Sequence, residues 1–556
     1  MAISKLSFPQ SLTTKQNGSQ LTPAEWNTMV SSIQTTVNAL VDNANTTPSA
    51  PTPPTEKFYV NGVETSPVSG VITLPSQSTY ELSGTLNGKV VIGAPTEEAL
   101  TEDTNVILNG VHIKANDETA FGLFYASKSQ SMIVTLFKNK VNTIVCEKEQ
   151  AVAEQQGACL YSNNNMILQG CGYLAVVNKG GHGIKASELR ISSRPHVYAE
   201  ASHDGVHGNS SLFIDGGYFC VGKANDGFGT GSTGSIKLFG GTFEVYNINT
   251  DQHVFDSKVA GYYFDNVRVI TSHTSVFHGM TKCDPATFFG AGTVLDNGVS
   301  VEPEVVTIDN ETYNKYTCTS ASVSVTGYLP NSLILIKTIK TDVAISQAYI
   351  TNKHEACIKY DGTSSKIAIK VAKETINYVR QYNSTEAYPA VQSLNNVEVE
   401  VKGTAIFNVS SVKGNGLEAS TITFQDMKGV FSACGCGNHG IQGTEIIFGG
   451  SSSKSGNMPV LGVIECFDNG STDIYARTSG SGGKATISIA TPVDVMLGGV
   501  VACGTIGTAL GSTNGSQITL GSSKRVYYNK VVSGSLSASD VETREPYKHV
   551  TNDIEL

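Results

Sequence analysis

The amino-acid sequence predicts an all-β protein built as a solenoid of stacked repeats. In three places a polar residue, a glycine and an apolar residue follow one another, and the glycines Gly183, Gly205 and Gly227 are spaced 22 residues apart twice. Each place is followed by a short apolar alternation typical of a β-strand. A fixed period in this range indicates a solenoid, because no single repeat can bury its apolar face alone.

The composition agrees with this fold and excludes several classes of function. The 556 residues include 56 glycines and only 15% charged residues, which suits many turns and few exposed helical faces. The formal net charge of −10 argues against nucleic acid as the main partner, because phosphate binding needs a basic surface. No apolar stretch is long enough to span a membrane, and no secretory signal is visible. We therefore expect synthesis in the cytoplasm, no membrane insertion and no nucleic-acid partner.

The N-terminal residues 1–45 predict a short α-helix that interacts with another protein chain. Thr22 is a suitable N-cap, Pro23 suits the first helical position, and Glu25 completes a capping box. Apolar residues then recur at spacings of four and three: Trp26, Val30, Ile33, Val37 and Leu40. Two interpretations stay open, a short coiled-coil seam that makes a homotrimer and an amphipathic helix docked on another protein. Residues 46–56 are rich in Pro and Thr and predict an extended linker.

The body of the chain is predicted to be duplicated. Residues 57–300 form a first β-solenoid unit that contains the three glycine repeats, and residues 301–545 form a second unit. In the second unit Gly416 and Gly440 follow the same cadence at a spacing of 24 residues. No aspartate precedes these glycines, so we interpret the second unit as a degenerate copy. Residues 546–556 are predicted to be a tail.

Asp204 and Asp226 are the first candidate functional residues, because they are separated by one 22-residue repeat. Equivalent positions in a parallel solenoid stack about 4.8 Å apart. Two carboxylates at that distance repel each other, so we expect a bridging cation or one protonated group. Calcium suits such a site because it prefers oxygen ligands and tolerates irregular geometry. The alternative is structural, since an aspartate before a glycine is also an ordinary turn residue.

A group of basic side chains in the same repeats is the candidate carbohydrate-binding surface. The period predicts that His182 stacks on Asp204 and that Lys185 stacks on His207. A histidine beside a carboxylate can act as a general base or can hydrogen-bond a sugar hydroxyl. Polar turn groups of this kind are also common without any function. The predicted carbohydrate-binding residues are His182, Lys185, His203, His207 and Tyr246, the last as an outward aromatic ring on which a sugar can stack.

Four sequence elements in a fixed order resemble a known family. They are Tyr80-Glu81-Leu82-Ser83-Gly84-Thr85-Leu86, Val106-Ile107-Leu108-Asn109-Gly110-Val111-His112-Ile113, Asn142-Thr143-Ile144 and the Asp-Gly repeats. This series resembles the carbohydrate-binding-domain family of right-handed parallel β-helices related to pectate-type polysaccharide lyases. The resemblance implies a right-handed parallel β-helix with calcium sites that binds acidic polysaccharides and shows no established strong catalysis. The family repeat usually begins with an acid, whereas the first repeat here has His182.

The segment Leu21-Thr22-Pro23-Ala24-Glu25-Trp26-Asn27 resembles the anchoring ends of virion appendage proteins in tailed phages of gut bacteria. This resemblance implies a location on the virion, contact with other virion structural proteins through residues 1–45, and release by lysis. We therefore expect a tail-fibre-like or spike-like appendage that binds a bacterial surface polysaccharide for host recognition. The alternatives are a polysaccharide lyase or hydrolase spike and a purely structural fibre. A lyase would need a base and a cation, and Arg190 and Arg194 are candidates only by nearness in sequence.

Overall fold

The computed structural model describes residues 57–489 with internal gaps, and the backbone of a few strands beyond them. The gaps are 97–102, 116–120, 129, 138–139, 149–156, 265–266, 309, 339, 363–365, 426, 450–462, 467–468 and 478–484. Beyond residue 489 the described backbone comprises 500–503, 505–508, 517–519, 526–527, 530–532 and 535–536. The predicted N-terminal helix, the linker at 46–56 and the tail at 546–556 lie outside the described residues.

The described chain is nearly all β, as the sequence predicts, with one short helix. No described helix is long and apolar enough to cross a membrane. The first strands are β1 Phe58–Val60, β2 Val63–Glu64, β3 Val71–Leu74, β4 Thr79–Asn87, β5 Lys89–Ile92, β6 Thr104–Ala115, β7 Leu123–Tyr125, β8 Met132–Leu136, β9 Val141–Cys146, β10 Ala158–Ser162, β11 Met166–Gly170, β12 Tyr173–Asn178, β13 His182–Ile191, β14 His196–Ala201, β15 Val206–Ile214, β16 Tyr218–Lys223, β17 Phe228–Thr230, β18 Ser235–Leu238, β19 Gly241–Val245, β20 Phe255–Tyr263, β21 Val267–Thr271 and β22 Phe277–Lys282.

The helix α1, Pro285–Phe289, separates these strands from the rest. The later strands are β23 Thr293–Asp296, β24 Val299–Ser300, β25 Glu304–Ile308, β26 Glu311–Cys318, β27 Ser322–Leu329, β28 Ser332–Ile336, β29 Lys340–Asn352, β30 Ile358–Tyr360, β31 Lys366–Val371, β32 Ile376–Gln381, β33 Val391–Ser393, β34 Asn396–Val401, β35 Ile406–Ser411, β36 Leu417–Glu418, β37 Thr421–Phe424, β38 Val430–Ser432, β39 Ile441–Gly443, β40 Glu445–Phe448, β41 Val463–Cys466, β42 Ile474–Ala476, β43 Thr486–Ile489, β44 Val500–Cys503, β45 Thr505–Thr508, β46 Gln517–Thr519, β47 Val526–Tyr527, β48 Lys530–Val532 and β49 Ser535–Leu536.

Strands β1–β22 belong to one curled sheet, which we call the first stack. Apart from the antiparallel pairs of β1 with β2 and β4, its strands pair in parallel with strands about one repeat away along the chain. The predicted 22-residue period is visible in the register, because Lys185 pairs with His207 and His207 pairs with Gly229. Each repeat therefore contacts the repeat before it and the repeat after it.

Strands β23–β49 form the second stack, which has two sheets. Its strands also pair mostly in parallel, and Leu417 lies beside Ile441 in register. The repeats around Gly416 and Gly440 therefore stack as their spacing predicts. The sheet changes between Lys282 and Thr293, while the described residues all belong to one compact unit. The division into two domains at residue 300 accordingly stays a prediction.

The interior of each stack is filled by alternate side chains of the strands. In the first stack, Phe219 stacks on Phe243 with a ring-centroid distance of 5.1 Å, and Phe228 stacks on Phe255 at 4.9 Å. All four rings are almost completely buried. Such ring columns stabilise the parallel register, because a slip by one residue would move every ring out of the core.

A buried asparagine links three successive repeats of the first stack. The side-chain oxygen of Asn142 accepts hydrogen bonds from the backbone amides of Gly110 and Val111 at 2.9 and 3.0 Å. Its side-chain nitrogen donates to the Tyr173 carbonyl at 3.0 Å. Asn377 makes the equivalent bonds in the second stack, from the Ala348 amide and to the Ile406 carbonyl. The side chain satisfies backbone groups that the strand ladder leaves open at a bend.

Candidate functional site

The Asp-Gly turns build a first column of polar side chains along one edge of the first stack. The backbone amides of Gly183, Gly205 and Gly227 each donate to a carbonyl of the next repeat, at 3.0, 3.0 and 3.1 Å. Those carbonyls belong to Asp204, Asp226 and His253 in turn. These bonds align four residues of successive repeats in one column: His182, Asp204, Asp226 and His253.

A second column lies three residues further along each repeat. The parallel register pairs Lys185 with His207, His207 with Gly229, Gly229 with Asp256, and Asp256 with His278. Together with His203 and Lys258, which contact them, the two columns form what we call the His–Asp edge. Its residues are His182, Lys185, His203, Asp204, His207, Asp226, Gly229, His253, Asp256, Lys258 and His278.

Asp204 is the buried centre of the upper part of this edge. It is only 3% exposed, and its carboxylate lies 2.6 Å from His207 Nδ1 and 2.9 Å from His203 Nδ1. Burial alone would raise the pKa of Asp204, but the imidazoles of His182, His203 and His207 lower it well below its usual value. Asp204 is therefore a stable carboxylate at neutral pH.

His182 is a neutral imidazole enclosed beside Asp204. It is 2% exposed, and burial lowers the pKa of His182 to about 3. Its Nε2 lies 3.3 Å from Lys185 Nζ, and because an ammonium group can only donate, Nε2 accepts. The ring proton is therefore on Nδ1, which lies 3.5 Å from Asp204 Oδ2 and makes no well-formed hydrogen bond.

Asp226 lies in the middle of the first column, and its pKa is shifted in the opposite direction from that of Asp204. Its Oδ1 accepts a hydrogen bond of 2.7 Å from the His253 backbone amide. Burial raises the pKa of Asp226 to about 6, and the charges of Asp204 and Asp256 add to the effect of burial. Asp226 therefore exchanges its proton close to neutral pH, between two carboxylates that stay ionised.

Asp256, His253 and His278 complete the lower part of the edge, and the sequence did not predict them. His278 Nδ1 lies 2.8 Å from Asp256 Oδ1, and the His253 and His278 rings stack at 4.1 Å. Lys258 makes an ion pair with the same carboxylate. The repeat that carries Asp256 is 27 residues long rather than 22, so the period no longer pointed to it. The signal available in the sequence was the recurrence of a phenylalanine, Phe228 and then Phe255, each directly before the residue of the second column.

Two groups in the described part of the chain have the geometry to hold a metal ion. One is His182, His203 and Asp204, and the other is His253, Asp256 and His278, with the ligand atoms of each group within 4.8 Å of one another. Each group offers two imidazoles and one carboxylate, a set typical of transition metals, whereas calcium prefers oxygen ligands. Neither group contains both Asp204 and Asp226, so the calcium pair predicted from the sequence stays a prediction.

The remaining predicted residue, Tyr246, lies outside the His–Asp edge. It follows β19, whereas the edge is built by the turns and by strands β13, β15, β17, β20 and β22. Tyr246 is 40% exposed, and its hydroxyl donates to Glu244 at 3.1 Å. The structure thus brings together four of the five predicted carbohydrate-binding residues and leaves Tyr246 apart from them.

The chain is similar to known proteins in two comparisons. Residues 69–263 match the profile of a family described as "Carbohydrate-binding domain-containing protein", and this segment includes Asp204, Asp226 and Asp256. Among solved structures, the chain is similar to a polysaccharide lyase-like protein from C. thermocellum, recorded as a gadolinium derivative. The sequence identity is 21%, the match covers 39% of this chain and 90% of that chain, and the TM-score is 0.33. The search among curated proteins found no match.

Proposed function

We propose that the protein binds a bacterial surface polysaccharide through the His–Asp edge, without strong catalysis. The observation that carries this proposal is the continuous row of imidazoles and carboxylates along successive repeats. The family match over residues 69–263 supports a carbohydrate ligand. In the same proposal, the curled parallel sheets form the right-handed parallel β-helix that the sequence resemblance implies.

The chemistry of the edge suits sugar hydroxyls, which both donate and accept hydrogen bonds. The side chains of His278, Lys258 and His203 are 53%, 44% and 31% exposed, so a ligand would meet these donors first. Behind them, the buried carboxylates of Asp204 and Asp256 hold the imidazoles in place. A rigid, pre-oriented row of polar groups reduces the entropy lost on binding.

A bound cation is part of the proposal. Calcium would be held by Asp204 and Asp226, and it would supply positive charge for an acidic sugar. Such an ion would also relieve the repulsion that contributes to the raised pKa of Asp226. Buried carboxylates at neighbouring positions of one column support this part of the proposal.

The location of the protein is proposed on the sequence resemblance alone. The chain would be a virion appendage of a tailed phage, similar to a tail fibre or spike. Residues 1–45 would attach it to other virion structural proteins or join three copies as a homotrimer.

Glycan-array binding of the purified full-length protein, with and without a chelator, tests the edge. We expect Asp226→Asn combined with His278→Ala to weaken binding by at least about tenfold, the effect of losing roughly one charged hydrogen bond. Asp342→Asn is the matched control, because that acid is paired with Lys370 in the second stack. Unchanged binding by the double variant would reject the edge as the glycan site, and unchanged binding in chelator would reject the cation.

A polysaccharide lyase is the second candidate, favoured by one observation. Burial raises the pKa of Asp226 to about 6, and a group with such a pKa can take or give a proton near neutral pH. The test is the absorbance of unsaturated uronate during incubation with an acidic polysaccharide. A steady rise that Asp226→Asn abolishes would establish the lyase, and a flat trace with intact binding would reject it.

A further inference from the structure

A pocket of about 430 Å³ lies between the first and second stacks, on residues that the His–Asp edge does not use. Its size is in the range of small-molecule sites. The first stack supplies Ser193, Arg194, Asp215 and Tyr218 to its wall, and the second stack supplies Arg380.

Two glycines line the floor of this pocket and place no side chain in it. Gly217 and Gly241 have φ angles of 110° and 121°, in the region that disfavours other residues. A Cβ on Gly217 would approach the Pro195 carbonyl oxygen at 2.8 Å, and one on Gly241 would meet the Phe243 ring at 3.1 Å. The backbone of the first stack is therefore exposed to the pocket, with no side chain at these two positions to fill it.

The charges around the pocket are mostly positive. Asp215 accepts a hydrogen bond from the Tyr378 hydroxyl, and burial raises the pKa of Asp215 to about 6, against the opposing effect of Arg380 and Arg190. Arg380 also lies over the Tyr378 ring, 4.6 Å from its centre. The pocket wall itself carries two guanidinium groups, those of Arg194 and Arg380, and one carboxyl group, that of Asp215. This imbalance favours a negatively charged ligand.

Two polar groups beside the pocket have hydrogen-bonding capacity to spare. Ser193 lines the pocket and is 8% exposed, yet its hydroxyl has no hydrogen-bond partner among the described residues. Its φ of 72° is unusual for a serine, so the backbone holds this hydroxyl at a cost. The Nε and Nη2 atoms of Arg190 are also buried without a hydrogen-bond partner in the described part of the chain, while its guanidinium lies over the Phe213 ring, 5.2 Å from the centre. Buried polar groups of this kind are normally satisfied by a ligand or by water.

An aromatic column on the first stack leads into the pocket. The parallel register aligns His196, Tyr218 and Thr242, and all three residues line the pocket. The His196 and Tyr218 rings lie 5.8 Å apart. Flat rings at a pocket wall are the surface on which the apolar face of a sugar packs.

We propose that this pocket binds the anionic residue of an acidic saccharide, a sugar unit that bears a carboxylate or a sulfate group. The acidic group would be held by Arg380 and Arg194, and the sugar ring would pack against Tyr218. The proposal goes beyond the glycan function of the His–Asp edge, because this site needs residues of the second stack and no cation.

Isothermal titration of the full-length protein in the presence of a chelator tests the pocket separately from the edge. The probes are digalacturonate, its methyl ester and a sulfated disaccharide. We expect digalacturonate to bind at least about tenfold more tightly than the neutral ester, a ratio typical of one lost charged contact. The sulfated probe distinguishes a requirement for a planar carboxylate from a requirement for negative charge alone.

Two variants locate the binding. Thr242→Trp fills the pocket and leaves every charge in place, and Arg194→Gln removes one charge from a half-buried position. We expect Thr242→Trp to abolish binding of digalacturonate and Arg194→Gln to weaken it about tenfold. Lys370→Gln, which removes a partly exposed lysine paired with Asp342, is the control. Thermal unfolding checks that each variant is folded, and Arg194→Gln alone decides the test if Thr242→Trp is unfolded.

Equal affinity for the acid and its methyl ester would overturn the proposal, and so would full binding by folded Thr242→Trp or Arg194→Gln. The His–Asp edge is tested separately, by Asp226→Asn and His278→Ala and by the sensitivity of binding to chelator. If Asp226→Asn loses the part of the binding that a chelator removes, and pocket binding in chelator stays intact, both sites are supported. Binding in chelator with no effect of the edge variants would support the pocket and reject the edge.

Discussion

At the scale of single residues, the two aspartates of one column differ because their neighbours differ. Asp204 has three imidazoles around it and is held as a carboxylate. The charged form of Asp226 is disfavoured first by burial and then by the charges of Asp204 and Asp256, against the hydrogen bond from the His253 amide. The same Asp-Gly turn thus carries a fixed charge in one repeat and a titrating group in the next.

Asp226→Asn is expected to stabilise the protein at high pH. The pKa of Asp226 rises from about 3.9 in the unfolded chain to about 6 in the folded protein. The contribution of this side chain to the free energy of unfolding is therefore fully present below pH 4 and is lost as the pH passes 6. Above that pH the ionised side chain costs about 1–2 kcal/mol, after allowance for solvent screening. Asparagine removes this cost and keeps the acceptor for the His253 amide.

Urea unfolding at pH 8 and at pH 4 in chelator measures the effect. We expect the variant to be more stable than the parent at pH 8 and equal to it at pH 4. Asp342→Asn, which changes a half-exposed acid, is expected to stay within about 0.5 kcal/mol of the parent at both pH values. A variant that is less stable at pH 8 would show that the electrostatics assigned to Asp226 are wrong.

At the scale of structural elements, strand register places the site. The pairing of β15 with β17 puts Gly229 beside His207, and the missing side chain leaves the space that the Asp204 carboxylate occupies. A larger residue at this point of β17 would separate the two columns of the His–Asp edge. The glycine is therefore needed for packing between strands, at a position where its own φ is not unusual.

Gly229→Ala is expected to disrupt the contact between Asp204 and His207. An added Cβ would lie 2.5 Å from Asp204 Oδ2 and 3.4 Å from His207 Nδ1, so the carboxylate must move. We expect a loss of about 1–3 kcal/mol in the free energy of unfolding, the usual cost of overpacking. The NMR signal of the His207 ring should shift at the same time.

Gly443→Ala is a suitable comparison for this variant. It lies in β39 of the second stack, where the nearest atom to an added Cβ is 3.2 Å away. We expect this change to cost less than Gly229→Ala and to leave the His207 signal in place. Equal costs for the two variants would mean that Asp204 adapts without losing its partner.

At the scale of the whole molecule, aromatic side chains join the two stacks. Phe239 of the first stack contacts Phe288 of α1 at a ring-centroid distance of 4.6 Å. Phe289 of the same helix contacts Tyr349 at 5.5 Å and Tyr378 at 6.2 Å. The short helix is thus an apolar connection between sheets that share no pairing among the described strands.

Phe289→Ala is expected to uncouple the stacks. Phe289 is 8% exposed, and removing a buried phenylalanine ring costs about 3–5 kcal/mol. We expect scanning calorimetry to show one main transition for the parent and two separated transitions for the variant. Tyr246→Ala, at an exposed position away from the contact, should keep one transition. A single, merely lowered transition in Phe289→Ala would argue that other contacts carry the coupling.

The sequence predicted the all-β class and the pairing of Lys185 with His207, because a constant period is directly readable. It did not predict Asp256 as part of the edge, because its repeat is five residues longer than the two before it, 27 against 22. The pocket between the stacks was also beyond sequence reasoning. It joins Asp215 to Tyr378, 163 residues further along the chain, through tertiary packing that no local pattern encodes.

The parallel pairing of neighbouring repeats also affects how the length of the protein can change. Because most strands bond only to strands one repeat away, removing or duplicating one whole repeat leaves the pairing surfaces of the others intact. The buried asparagines limit this freedom, since Asn142 holds three consecutive repeats together and Asn377 does the same in the second stack. Recombination can therefore add or remove repeats most easily between the blocks that these asparagines hold together. A row of charged side chains such as the His–Asp edge can then be lengthened without changes to the core.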